Sequence, residues 1–477
     1  MMSRSNFGYS PHVSRRLLNC GLAAFLFLVL WFSTLVNGFG VAQWENWINW
    51  QLDSESLVLT RVEADAQGAD VPALGMLFEG NPMSTGEVSV DVYERISKGM
   101  FPFGPESEGI EYLTYTSNFG IQANLVSVAW REFGCGLSCL RLVNTGLYSL
   151  VAALVFLGIL RLMSGPFAWV WIACVLCSPW LTMAARNLFW SPWLWFLPTL
   201  AALNLIAAKN KVQKYLAFFA LVAAFALKFA LTGYELFTSI TILACSVPIF
   251  AAILKPRSSK SMSSALKASA GIAVSAGAGF LGVMVIHAVV VGGRLTDGLR
   301  ILWVETILRR TWGNPETMDP IYAQALNSSP FTVLKRYMAP EWWFQSDLLA
   351  LNFDNHGSVF GLSLGGTSFA LVVFASVTVV ALRYANGSAK WKRDSVLLLV
   401  SYASAASWFV AAKAHSYLHN HILFVLWYLL FVPTVMYVIV SFGNDACKYF
   451  RDSGVPHLSR TLISSVRPLR SGNGVKE

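Results

Sequence analysis

The stretch "LLNCGLAAFLFLVLWFSTLVNGF", residues 17–39, carries no charged side chain from end to end. Wound as a helix rising 1.5 Å per residue, it is long enough to cross the roughly 30 Å hydrocarbon layer of a bilayer. Arg15 and Arg16 stand just ahead of it and mark that end as cytoplasmic. The run is longer than the apolar part of a signal peptide, and no small-x-small cleavage site follows, so it reads as a retained anchor.

The same pattern recurs at 142–162, 167–185, 189–208, 213–231, 234–254, 268–292, 359–382, 395–412 and 421–442, making ten apolar runs. Pro179, Pro192 and Pro198 interrupt or flank the third to fifth of them. The composition agrees, with 55% hydrophobic and 13% charged residues and 18 Trp and 32 Phe, a balance that excludes a soluble multidomain protein. The expected fold class is an all-α integral membrane protein of about ten transmembrane helices.

Lys and Arg then set the orientation. With the N-terminus inside, every inner loop is basic: Lys209/Lys211/Lys214, Lys255/Arg257/Lys260/Lys267, Arg383/Lys390/Lys392/Arg393, and a tail from Lys448 to Lys476. Both termini are expected in the cytoplasm of a plasma (inner) membrane, and the outer side is net acidic. The net charge of +9 therefore reports topology and anionic lipid headgroups rather than nucleic acid.

This layout divides the chain into a cytoplasmic start (1–16), a transmembrane core (17–292) that includes a long outer loop (43–141), a second outer loop (293–358), C-terminal helices (359–442) and a basic tail (443–477). The working surface is expected on the outer side, where the long loops lie. The first loop opens with "QWENWINW" (43–50), whose Trp44, Trp47 and Trp50 suit the headgroup level. Seven Cys are present. Cys174 and Cys177 read as packing residues in an apolar run, and Cys135 and Cys139 lie on the outer side, close enough in sequence to pair.

Next comes "DSESLVLTRVEAD" (53–65), four carboxylates and one arginine. Its spacing predicts a helix from Ser54 to about Gln67 stopped by Gly68, with Val58, Leu59, Val62 and Ala66 on one face and Arg61 paired with Asp65. Asp53 is then the N-cap, Glu55 complements the helix dipole, and the other acids form a solvated face. Such an acid, fixed just above a membrane, is also well placed for acid–base chemistry.

Further charged groups fall near the outer ends of the apolar runs, where charge is costly and often functional. Arg186 lies in "AARNLFWSPWLWFLP" (184–198), Lys228, Tyr234 and Glu235 in "KFALTGYE" (228–235), and Lys413, His415, His419 and His421 in "KAHSYLHNH" (413–421). Polar filling of a cavity or donation to a phosphate suits the histidines better than zinc, since no third ligand follows at matching spacing. His287, alone in "VMVIHAVVV" (283–291), reads as a packing residue.

Taken together, the first crossing helix, the acid-bearing loop after it and the second long loop after the seventh run resemble the GT-C superfamily of membrane glycosyltransferases, over about residues 17–360. "ARNLFWSPWLWFLP" and "TGYE" are similar to sequences of such enzymes. The resemblance implies a sugar donor carried on a polyprenyl phosphate and an inverting transfer to an extracytoplasmic acceptor. Asp53 would be the general base and Glu55 would orient the acceptor, assist as base or ligate a divalent ion. Arg186, Lys228, Lys413 and Arg61 would neutralise phosphate, with Tyr234, Glu235, His415 and His419 completing the binding surface. Asp53 and Glu55 supply two hard oxygen ligands suited to Mg²⁺ or Mn²⁺, but the resemblance brings no metal requirement and none is assigned. Ser54 separates two acids that are adjacent in O-mannosyltransferases, and "EWWFQS" (341–346) does not continue as a WWD motif, so transfer of a whole glycan to Asn is not implied. An O-antigen-type polymerase or ligase, a secondary transporter and a non-catalytic scaffold are the competing readings.

Overall fold

A computed structural model describes residues 11–80, 91–98, 110–255, 261–318, 320–338, 358–359, 362–363 and 368–452. The N-terminal part runs α1 (Pro11–Val36), α2 (Trp44–Asn49), α3 (Leu52–Gln67), α4 (Asp91–Ser97) and α5 (Gln122–Phe133), with a two-stranded antiparallel sheet, β1 (Leu77–Gly80) and β2 (Glu111–Thr114), between them. The bundle follows as α6 (Leu137–Leu162), α7 (Gly165–Leu176), α8 (Pro179–Arg186), α9 (Trp193–Ala207), α10 (Lys211–Thr232), α11 (Phe237–Leu254) and α12 (Met262–Gly292). After it come α13 (Leu295–Leu302), a π-helical turn (Trp303–Leu308), α14 (Pro320–Asn327) and α15 (Pro330–Met338). The chain closes with α16 (Ser368–Ala385), α17 (Lys390–Ala411), α18 (Lys413–Leu418), α19 (Asn420–Leu423), α20 (Val425–Leu429) and α21 (Phe431–Asp452).

Six helices among the described residues are long and apolar enough to cross a membrane: Leu18–Val36, Leu137–Leu162, Lys211–Thr232, Phe237–Leu254, Met262–Gly292 and Lys390–Ala411. The chain is thus a helical, multi-pass membrane protein. The expected ten crossings are not all matched, and the reasons are local. The third run is broken, α7 and α8 meeting at 64°, because Pro179 opens a new helix and Ser178 caps it by accepting from Leu181 N–H at 3.2 Å. Counting that pair as one span gives seven. The fourth run yields only the short helix Trp193–Ala207, and the last divides among α19, α20 and α21.

Within the first long loop, α3 packs on α5 and on the sheet, burying Leu57, Val58, Leu59 and Val62. Each such side chain contributes about 1.5–3 kcal/mol. The predicted helix is present and Gly68, at φ 65°, ends it as expected. Its face differs: Ala66 is exposed.

The acids do not form a solvated face either. Glu63 is fully buried and pairs with Arg95, which also reaches Glu79. Asp65 takes Arg61 at 2.9 Å and Ser127 Oγ at 2.6 Å. Cys135 and Cys139 form a disulfide at the entrance to α6. "EWWFQS" lies outside the described residues.

Candidate functional site

A cavity of about 320 Å³ opens where the two long loops meet the bundle. Its wall takes Asp53 from the first turn of α3, Thr114–Ser117 from the end of β2, and Phe189 and Trp190 from the link before α9. The polar lining continues with Glu235 between α10 and α11, Glu305, Arg309 and Arg310 around the π-helical turn, Tyr322 on α14, and His415 and His419 on and after α18. π-Helical turns of this kind often mark functional positions. Among the described residues, three of the four non-glycine residues at positive φ, Gln51, Ser191 and Leu236, lie within two residues of the cavity-lining Asp53, Trp190 and Glu235. Backbone strain of this sort persists where the surroundings over-determine it.

Asp53 is exposed, and among the described residues nothing pairs with its carboxylate. It is not the N-cap, which is Gln51 at φ 54°, but sits one residue inside α3, where the dipole still favours its charge.

Glu55 is placed differently. It is 1% exposed and absent from the cavity wall. Arg141 and Tyr93 OH donate to it, and Leu188 N–H reaches Oε1 at 2.9 Å. Burial alone would raise its pKa, but the Arg141 charge and these hydrogen bonds hold it below the ordinary value. Glu55 is a staple joining α3, α4, α6 and the α8–α9 link, and it is engaged away from the cavity that Asp53 lines. No group of three metal-type ligands occurs among the described residues.

The four cations expected at the phosphate are each committed to backbone carbonyls. Arg61 donates to Pro72 O and Ala73 O, at 2.5 and 3.1 Å. Arg186 donates to Ile48 O at 3.1 Å and lies 4.5 Å from the Trp47 ring centroid. Lys413 holds Leu326 O and Ser328 O at 2.6 and 2.8 Å. Lys228 is wholly buried, with Nζ donating to Gly233 O at 2.5 Å and to Glu235 O. None of the four lines the cavity. Tyr234 is likewise behind the wall, its hydroxyl 3.0 Å from His287 Nδ1.

The cations that do line it, Arg309 and Arg310, were not singled out from sequence. The signal available was two adjacent arginines inside the second outer loop. Arg310 is buried and its guanidinium meets Asn118 Oδ1 at 3.3 and 3.4 Å and Glu235 Oε1 at 3.3 Å. Arg309 pairs at 3.2 Å with Glu305, which is 39% exposed, and also donates to Ser117 Oγ. A pair that open to solvent is weak, leaving Arg309 the cation readiest to turn to an incoming anion.

Asn118 organises this corner. It is fully buried; Oδ1 accepts from Tyr234 N–H at 3.3 Å as well as from Arg310, and Nδ2 donates to Glu235 Oε1 at 3.2 Å. His415 Nε2 stands 3.6 Å from the same oxygen. Burial alone would raise the Glu235 pKa, but His415, Arg310 and Asn118 keep it well below the carboxylate range. Burial lowers that of His415, against the opposing pull of the Glu235 carboxylate.

No protein-family model matches the sequence, and no curated protein or solved structure matches it at a significant level.

Proposed function

We propose that the chain is a membrane glycosyltransferase that moves a sugar from a polyprenyl-phosphate donor to an extracytoplasmic acceptor with inversion. One observation carries the reading: a carboxylate unpaired among the described residues, Asp53, and two guanidinium groups, Arg309 and Arg310, line the same cavity. Asp53 takes the proton of the acceptor hydroxyl as that oxygen bonds to the anomeric carbon. The bond from that carbon to the phosphate oxygen breaks, its electron pair stays on the phosphate, and Arg309 and Arg310 stabilise the growing charge. The phosphate-binding role falls to these arginines rather than to Lys228, Lys413 or Arg186.

In this reading the cavity faces the outer side and both termini are cytoplasmic. The disulfide in the first long loop supports that orientation, because such bonds persist on oxidising faces of a membrane.

The test is transfer in proteoliposomes supplied with polyprenyl-phosphoryl sugars and cell-envelope acceptors. Transfer by wild type with loss in Asp53→Asn supports the reading; equal transfer by both sinks it. The adjacent arginines of the second loop also favour a polymerase or ligase acting on a lipid pyrophosphate. Release of lipid monophosphate rather than pyrophosphate separates the two.

A further inference from the structure

At the end of the bundle remote from the cavity, two grooves flank the corner between α9 and α10. The first, of about 220 Å³, lies between α6 and α9 and is walled by Leu154, Leu157, Leu200 and Leu203. Among the described residues its polar lining is Arg161 and Asn204, both exposed. Gly158 lets the helices meet here, since a Cβ would lie 2.7 Å from Leu203 Cδ1. Lys255 stands alongside, its Nζ donating to Arg161 O at 3.0 Å. The second groove, of about 210 Å³, carries Lys214.

Five exposed cations, Arg161, Lys209, Lys211, Lys214 and Lys255, thus gather at one corner, and none forms an ion pair with a described carboxylate. Sequence explains why. Between Glu132 and Asp297 the chain has a single acid, Glu235, and that one is paired with Arg310 at the far end of α10. Twenty-two residues of helix separate the two ends by about 33 Å, well beyond a Debye length.

We propose that the α6–α9 groove binds one anionic phospholipid, with an acyl chain along Leu154, Leu157, Leu200 and Leu203 and its phosphate held by Arg161 and Asn204. The guanidinium offers a forked pair of donors to the phosphate oxygens and Asn204 adds a neutral one. Lys255 supplies a second positive charge without competing for the same oxygens. A soluble phosphate would satisfy the cations yet leave the leucine walls uncovered, so the ligand that answers both features is a lipid. This site is independent of the chemistry proposed for the cavity.

The full-length protein in detergent, titrated with palmitoyl-oleoyl phosphatidylglycerol or the matching phosphatidylcholine and read by native mass spectrometry, tests it. Wild type is expected to bind the anionic lipid at a concentration roughly tenfold or more lower. Arg161→Gln with Lys255→Gln should bring the two lipids within about threefold. Ala207→Trp, at an exposed position lining the groove, keeps every charge but fills the chain's path and should weaken both lipids. Lys209→Gln with Lys211→Gln removes equal charge away from the groove and should leave the preference intact. A preference that survives Arg161→Gln/Lys255→Gln, or falls equally in the Lys209/Lys211 control, overturns the site in favour of diffuse attraction. Displacement of the lipid by glycerol phosphate at equal concentration overturns it in favour of a free anion.

Discussion

Arg310 Nη2 lies 3.3 Å from Glu235 Oε1, joining residues 75 positions apart at the innermost wall of the cavity. Both are buried, so removing one partner strands the other. Glu235→Leu or Arg310→Met should each cost about 3–5 kcal/mol, and the double variant clearly less than their sum. Thermal unfolding in detergent measures this; simple additivity would mean that the pair is not coupled.

Gly233 faces Asn118 across the same corner. Its φ is +74°, and a Cβ there would lie 2.2 Å from Asn118 Oδ1, so side chain and asparagine exclude each other. Gly233→Ala should therefore displace Asn118 and loosen Arg310 as well, costing about 1–3 kcal/mol and weakening phosphate binding together. Pairing it with Asn118→Gly should restore part of the stability but not the binding.

Asp53 and Glu55 separate into different kinds of effect. Asp53→Asn should lower transfer by about 10²–10⁴-fold with melting temperature unchanged, because the side chain is exposed and has no partner among the described residues. Glu55→Gln should lower melting temperature first, since it strips Arg141 of its buried counter-charge. Activity and melting curves on both variants decide between these roles.

Acidification gives the Glu55 staple a sign. Its folded pKa lies below the ordinary 4.5, so its contribution is complete above that value and is lost as pH falls toward the lower folded one. Glu63, whose pKa burial raises, contributes in the opposite sense: it opposes folding once ionised and relents as pH falls through the interval above 4.5. Unfolding measured from pH 6 to 3 should show a steeper loss in wild type than in Glu55→Gln.

The proposed orientation is open to a labelling test. A membrane-impermeant maleimide added outside should reach Cys135 and Cys139 only after reduction, while exposed Cys447 reacts only when the inner face is opened. Labelling of Cys447 in sealed cells reverses the topology.

The apolar runs made the helical membrane class legible, and composition with period made α3 and its Gly68 stop legible. The count of crossings was legible only in part: Pro179 marked where the third run could break, but apolar length does not give the 64° angle between the two halves or say whether they form one span. At the site, Asp53, Glu235, His415 and His419 fall around one cavity. The cations could not be placed from sequence because long basic side chains end several ångströms from their own backbone, and which oxygens receive them is a tertiary matter. Lys228, Lys413, Arg186 and Arg61 all found carbonyls. Arg309 and Arg310 went unnoticed because they sit in a connecting segment where no periodicity draws the eye.

The burial of Lys228 bears on how the protein is made. Its two oxygen partners come only five and seven residues later, from the turn that joins α10 to α11. These helices can therefore enter the bilayer together as one inserted hairpin, the ammonium already chelated by its own turn and needing no helper from elsewhere in the chain. A lysine that looks forbidding to the insertion machinery becomes, on this account, the peg that closes the hairpin.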